Sequence, residues 1–313
     1  MKSMQGLNLF ECFYNEYGKA MFAENFPGLK YAAGAVGQGS EFMGFDDDLS
    51  KDHDFMAGFC IWLTKEDEQE YGFKLSRAYS NLPKEFCGVC LEQQSNYAQK
   101  KFGVFEIGDF YSRIIGISEP QTLEEWFYIP EYALSNAVDG KVFFDNKGEF
   151  LRIRNKLKND MPKDVKLKKL SAHLAYMAQS GQYNFSRCIS HGEEAAAQLA
   201  LFEFVNHAVS VIFAFNNEYA PFYKWKFRAM KSLPFFSQTA DTLEFLITTP
   251  NKNEYINKKK HEIEKLCAEI ACELIKQEVS SSQSDYLENH ALSVNDKIQN
   301  RSLRSLHLME YGE

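Results

Sequence analysis

A chain of 313 residues is long enough for two domains or one large one, and 45% hydrophobic with 25% charged residues, including 27 Phe and 16 Tyr, is a globular composition with material for a well-filled core. The net charge of −8 sets up no field that would favour non-specific binding to nucleic acid. No stretch strings together enough uncharged apolar residues to suggest a membrane span, and the N-terminus lacks the long apolar run of a signal peptide.

In chain order, Leu7, Phe10, Phe13, Tyr14, Tyr17 and Met21 fall at helical spacing, which predicts a helix over 4–24, ended by the break around Pro27. A strand is expected over 29–36. The glycine-rich turn Gly37-Gln38-Gly39-Ser40 follows and opens a short helix toward Met43. After the acidic loop 44–51 a second strand is expected over 53–63, with Asp52 at its mouth and Asp54 inside it. Lys65 to Asn81 reads as a charged helix capped by Thr64. Short strands follow at 86–91 and 102–107, then a helix over 110–115 capped by Asp109, short helices at 123–127 and 131–137, and an extended piece at 142–144.

From Glu149 onward helical periodicity replaces strand alternation, over 149–158, 163–180, 184–190, 193–216, 222–231, 236–247 and 253–278, with a terminal helix in 286–309. The expected fold class is therefore α+β: a mixed sheet with flanking helices over 1–148, then a helical bundle over 149–313. The lysine-rich runs 163–169 and 258–260 read as solvated helix faces. Seven scattered cysteines, an odd number, read as reduced thiols in a cytoplasm, and Cys87-Gly88-Val89-Cys90, without a partner pair, as structural thiols.

The chemistry concentrates between Tyr31 and Phe55. Residues two apart on a strand share a face, so Asp52 and Asp54 present two carboxylates side by side, and such a pair repels unless a cation lies between. Magnesium, which takes carboxylate oxygen and leaves room for phosphate, suits them. In front of the pair, with eleven residues between Ser40 and Asp52, stands Gly39-Ser40, where backbone can approach a phosphate closely.

Gly39-Ser40, a gap of this length, then Asp52-His53-Asp54: this pattern resembles the DNA polymerase beta-like nucleotidyltransferases. The wider wording, Gly44-Phe45-Asp46-Asp47 and Ser50 before Asp52-His53-Asp54, is similar to a bacterial branch known only as a domain of unknown function. The resemblance is specific over about residues 28 to 116 and general beyond. It implies transfer of a nucleoside monophosphate, AMP from ATP in the first instance or from another nucleoside triphosphate, to a hydroxyl, with release of pyrophosphate. It further implies two Mg2+ ions on Asp52, Asp54 and a third carboxylate. Glu106, between Phe105 and Ile107, fits that third place, with Asp109 as its competitor. Gly39 and Ser40 would contact the β- and γ-phosphates, and Lys224, in Phe222-Tyr223-Lys224-Trp225, the triphosphate. Asn216, Asn217 and Tyr219 would line the cleft. Asp46, Asp47 and Asp48 would hold the loop or orient an acceptor, and His53 would pack away from the pair. The acceptor is a small molecule, a protein or an RNA end. A non-catalytic nucleotide-binding regulator, a toxin–antitoxin component and an assembly protein remain as other uses of the same fold.

Overall fold

The computed structural model describes residues 5–47, 56–90 and 100–312. The chain is α+β and divides into two compact units: Met1–Pro120 with Ala133–Asp160, and Gln121–Tyr132 with Met161–Glu313.

The first unit opens with α1 (Gly6–Phe13), a π-helical turn (Tyr14–Gly18) and α2 (Lys19–Asn25). Its sheet contains β1 (Ala32–Val36) and β2 (Cys60–Leu63), both buried throughout, as near-continuous apolar runs require. The helix α3 (Lys65–Ser80) starts at Thr64, whose hydroxyl accepts from the Asp67 N–H. The expected strand at 86–91 is a two-stranded hairpin, β3 (Glu85–Phe86) and β4 (Val89–Cys90), with Cys87 and Gly88 at its tip. Then come β5 (Gly103–Glu106) and α4 (Ile107–Ile115).

Strand order in the main sheet is β5-β2-β1-β6, with β6 (Gly140–Asp145) on the far edge. β1 runs antiparallel to β2 and β6, and β2 runs parallel to β5. Alternation sorts the side chains between two faces. Ile61 and Leu63 join Phe13, Tyr14, Phe22 and Leu75 in one cluster, within which the Phe22 and Tyr31 rings stack at 3.5 Å. Trp62, between them, stacks at 3.8 Å on Phe150 of α7 (Glu149–Asn159). The short helix expected toward Met43 is instead a series of turns, Phe42 N–H to Gly39 O, Gly44 N–H to Glu41 O and Phe45 N–H to Ser40 O. Gly44, at φ +69°, ends the series.

The second unit contains α5 (Leu123–Phe127), the start of α6 (Glu131–Val138) and α8 (Lys163–Met177), which runs on through a π-helical segment (Ala178–Phe185) into α9 (Ser186–Ser190). Next are α10 (Glu194–Phe215), α11 (Lys226–Met230), α12 (Thr239–Thr248), α13 (Asn253–Lys276), α14 (Leu287–Asp296) and α15 (Arg301–Ser305). By length and composition α10 is apolar enough to cross a membrane, but 61% of its apolar window is buried within the protein, as in a core helix.

The lysine runs are not simply solvated faces. Lys168, Lys169 and Lys259 are buried, and each ammonium is spent on carbonyl oxygens. Lys168 Nζ donates to His307 O at 2.7 Å, Lys169 Nζ to Tyr311 O at 2.9 Å and Ile129 O at 3.2 Å, and Lys259 Nζ to Thr249 O at 2.5 Å. Two of these lysines fasten the C-terminal segment to α8. Burial lowers the Lys168 pKa to about 8.

Candidate functional site

The sheet decides which parts of the motif can meet. Ala32 pairs with Trp62 and Gly34 with Cys60. The chain leaving β1 into the Gly37–Ser40 turn is therefore at the same end of the sheet as the chain arriving at β2. Asp52 and Asp54 precede that arrival; with Asp48 and His53 they lie outside the described residues.

Within the turn the approach to Gly39 is close. Gly39 adopts φ +155°, a backbone conformation that side chains rarely take, and a Cβ there would press on the Glu41 carboxylate. The buried Glu41 carboxylate folds back over the turn, 3.5 Å from Ser40 Oγ, and is paired with Lys101, which enters from the chain just before β5. A carboxylate and its counter-cation thus occupy the ground expected for a phosphate. Asp46 has a structural task, its Oδ2 accepting the Gly6 N–H at 2.8 Å at the start of α1, while Asp47 is exposed.

Glu106 takes the capping role that the sequence suggests for Asp109. Glu106 caps α4, accepting from Gly108 N–H at 2.8 Å and Asp109 N–H at 2.7 Å, while Asp109 is exposed in the helix's first turn. Glu106 also pairs in register with Leu63, at the end of β2 away from its entry. Since Trp62 pairs with Ala32, Glu106 stands level with the start of β1. At strand rise that is on the order of 20 Å from the turn that follows Val36. The structure does not bring Glu106 together with Gly39 and Ser40.

A carboxylate that sequence reasoning missed does stand at the turn's end of the sheet. Gly140 pairs with Val36, the residue before the turn, which places Asp139 one step from that register. Asp139 accepts from Ser135 Oγ at 2.7 Å. Its only sequence signal is the Asp-Gly step, and the glycine is required: a Cβ at Gly140 would sit 2.1 Å from Ala35 O. Among the described residues no three His, Cys, Asp or Glu side chains are grouped to hold a metal ion.

The second unit carries a cavity of about 220 Å³. Glu131 and Tyr132 come from the start of α6, His173 from α8, Asn206 from α10, Phe222 and Lys226 from the segment around α11, and Tyr311 from the C-terminal segment that Lys169 fastens. Lys226 lines the cavity and donates to Asn206 Oδ1 at 2.6 Å, whereas Lys224, two residues earlier, is exposed and outside the lining. Asn216 is a loop staple, bonded to Ile212 O, Phe235 O and Phe235 N–H. The lining residue His173 meets the buried His207 ring Nδ1 to Nδ1 at 2.7 Å, and His207 stacks on Tyr176 at 4.1 Å. Burial opposes the charge on Glu131, but His173, Lys169 and Lys226 outweigh it and hold the carboxyl below its usual range.

Residues 126–226 match the family described as Domain of unknown function (DUF4037). The matched stretch is about a third of the chain, and it holds every residue lining the cavity except Tyr311. It agrees with the branch that the wording around Asp46 and Asp52 resembles. The chain is also similar to a solved structure, a nucleotidyltransferase-like protein from Exiguobacterium sibiricum 255-15, with a TM-score of 0.37 and 10% identity over 91% of this chain and 89% of that one. No curated protein matches the chain by sequence.

Proposed function

We propose that the protein is a metal-dependent nucleotidyltransferase, moving a nucleoside monophosphate, AMP in the first instance, from a triphosphate to a hydroxyl acceptor. The observation that carries this reading is the antiparallel pairing of β1 with β2, which brings the Gly39-Ser40 turn and the entry to β2 to one end of the sheet. The spacing from that turn to Asp52 and Asp54 matches the nucleotidyltransferase pattern.

In this reading Asp52 and Asp54 hold the divalent ions, which neutralise phosphate charge and sharpen the attacking hydroxyl when bound. The absence of any side chain at Gly39 is the observation that fits a phosphate: backbone N–H groups there can approach an anion closely. The Glu41 carboxylate must give way on binding, leaving Lys101 to meet the phosphate instead. Glu106 remains with its capping role, and Asp139 is the carboxylate best placed by register to assist. Lys224 keeps its proposed part as an exposed cation for the triphosphate. All seven cysteines are free thiols, which supports a cytoplasmic setting.

Incubation of the full chain with α-32P-labelled ATP, magnesium and a metabolite, protein or RNA pool tests the reading. Label transferred to one of these pools together with pyrophosphate release is expected. Label that stays in ATP under all three conditions contradicts it.

A further inference from the structure

The turn's end of the sheet carries a cation whose hydrogen-bonding capacity is only partly used. Two arginines of α7 stand two residues apart and differ in their partners. Arg152 is neutralised: it donates to Glu119 at 2.7 and 2.9 Å and to Glu149 at 2.9 and 3.1 Å. Arg154 is paired with no carboxylate among the described residues. Its Nη2 is tied to backbone instead, donating to Val138 O and, at 3.0 Å, to Gly140 O.

That tether fixes where the guanidinium lies. Phe150, one turn earlier on α7, stacks on Trp62 of β2 and holds the helix against the sheet, and residues four apart on a helix share a face. Gly140 pairs with Val36, so closely that a Cβ on Gly140 would lie 3.0 Å from the Val36 Cα. Arg154 is therefore one hydrogen bond from Gly140, and Gly140 touches the residue that precedes the Gly37–Ser40 turn.

A guanidinium has five N–H groups. Nη2 gives both of its own to the carbonyls. Among the described residues neither the buried Nε–H nor Nη1 has a hydrogen-bond partner. Burial lowers the Arg154 pKa, with Tyr111 and Asp139 opposing it. A cation taken out of water with donors unmatched is destabilising unless a ligand accepts them. Tethering two carbonyls does not need arginine: Lys169 does the same with Ile129 O and Tyr311 O. What arginine adds is a second nitrogen in a planar fork that matches phosphate.

We propose that Arg154 is a phosphate ligand: tethered through Nη2, it donates from Nη1 to an oxygen of a polyphosphate bound at the Gly37–Ser40 turn. The inference rests on the nucleotidyltransferase reading for the identity of that polyphosphate, the triphosphate of the nucleotide or the pyrophosphate that leaves it. In the strand order β5-β2-β1-β6, Arg154 meets it from the β6 side of β1 and Lys101 from the β5 side.

Calorimetric titration of the full chain with tripolyphosphate and magnesium tests this without any transfer step. Arg154→Lys keeps the charge and can keep both carbonyl bonds, but it lacks the spare nitrogen. It should bind tripolyphosphate about tenfold or more weakly than the wild type, with the melting temperature of the unliganded protein retained. Should Arg154→Lys unfold, the unmutated chain decides. Tripolyphosphate should slow phenylglyoxal modification of Arg154, read by peptide mass spectrometry, and leave that of Arg152, held by its two glutamates, unchanged. Equal affinity in folded Arg154→Lys, modification of Arg154 that tripolyphosphate does not slow, or failure of the wild type to bind tripolyphosphate at millimolar concentration overturns the proposal. Label transfer by the wild type alongside any of these removes Arg154 alone and leaves the transferase reading standing.

Discussion

The two units satisfy their charged groups differently. In the sheet unit carboxylates cap nearby backbone, Glu106 at Gly108 and Asp109, and Asp145 at Lys147, Gly148 and Leu151, while long-range ion pairs such as Lys141–Glu11 and Lys147–Asp67 are exposed. In the helical unit buried lysines and polar side chains reach distant backbone. Lys168 bonds residues 307 and 308, Lys169 bonds Tyr311, Asp164 accepts from Gln299 and Asn300, and Gln182 bonds Asp285 and Leu287. Local caps can be changed at modest cost, whereas a buried ammonium holding distant carbonyls ties the fold of its unit to one residue.

The largest effect that would sharpen this contrast is expected at Lys169. Lys169→Ala strands the carbonyls of Ile129 and Tyr311 in a buried place and should cost about 2–4 kcal/mol in urea unfolding, with faster amide exchange across residues 306–312. A loss below about 0.5 kcal/mol would put Lys169 back among solvated surface lysines.

Lys168 makes the same point through pH. Its folded pKa, about 8, lies below the 10.5 of an ordinary lysine, because burial disfavours the charge. Between those values the unfolded chain holds more protons, so the contribution of this residue to stability rises with pH. The melting temperature of the wild type should therefore gain on that of Lys168→Met between pH 7.5 and pH 9.5. His207 titrates at the acid end. Its pKa is lowered to about 4, so its contribution is complete above pH 6.5 and is lost as pH falls toward 4. His207→Phe should remove that part of the acid sensitivity.

A smaller effect is expected in the sheet unit. Glu106→Ala removes one helix cap and should cost about 1 kcal/mol, with nucleotide transfer retained. Loss of transfer at unchanged stability would return Glu106 to the metal site. Lys224→Ala should be the mildest, leaving the melting temperature unchanged and weakening ATP affinity by about threefold at moderate salt.

What could be read from the sequence follows the same division. The strands, α3 with its Thr64 cap and the long helices were legible because apolar period and capping act within one element. The glycine turn and Asp52-His53-Asp54 stood out because their spacing is itself the motif; the turn is described, whereas Asp52-His53-Asp54 lies outside the described residues. Glu106 was read as a metal ligand because a carboxylate between apolar residues reads the same whether it binds metal or caps the next helix; the capping bonds to Gly108 and Asp109 and the register with Leu63 appear only in the fold. Asp139 was missed because its neighbour Val36 lies about a hundred residues away, across a strand pairing. The pair of His173 and His207 was missed for a like reason: Glu203 precedes His207 at helical spacing, but nothing along the chain announces that α8 and α10 pack ring to ring. Lys168, Lys169 and Lys259 sit in charge-rich runs in which Lys163, Lys166 and Lys258 are exposed, so burial of three members was invisible without the packing.

The central claim is most directly tested by pyrophosphate release from ATP with magnesium, once an acceptor pool supports it, in Asp52→Asn and Asp54→Asn beside the wild type, with melting temperature as the control for folding. Loss of release by about a thousandfold or more in both folded variants is the result this account requires. Release at the wild-type rate in either one would contradict it.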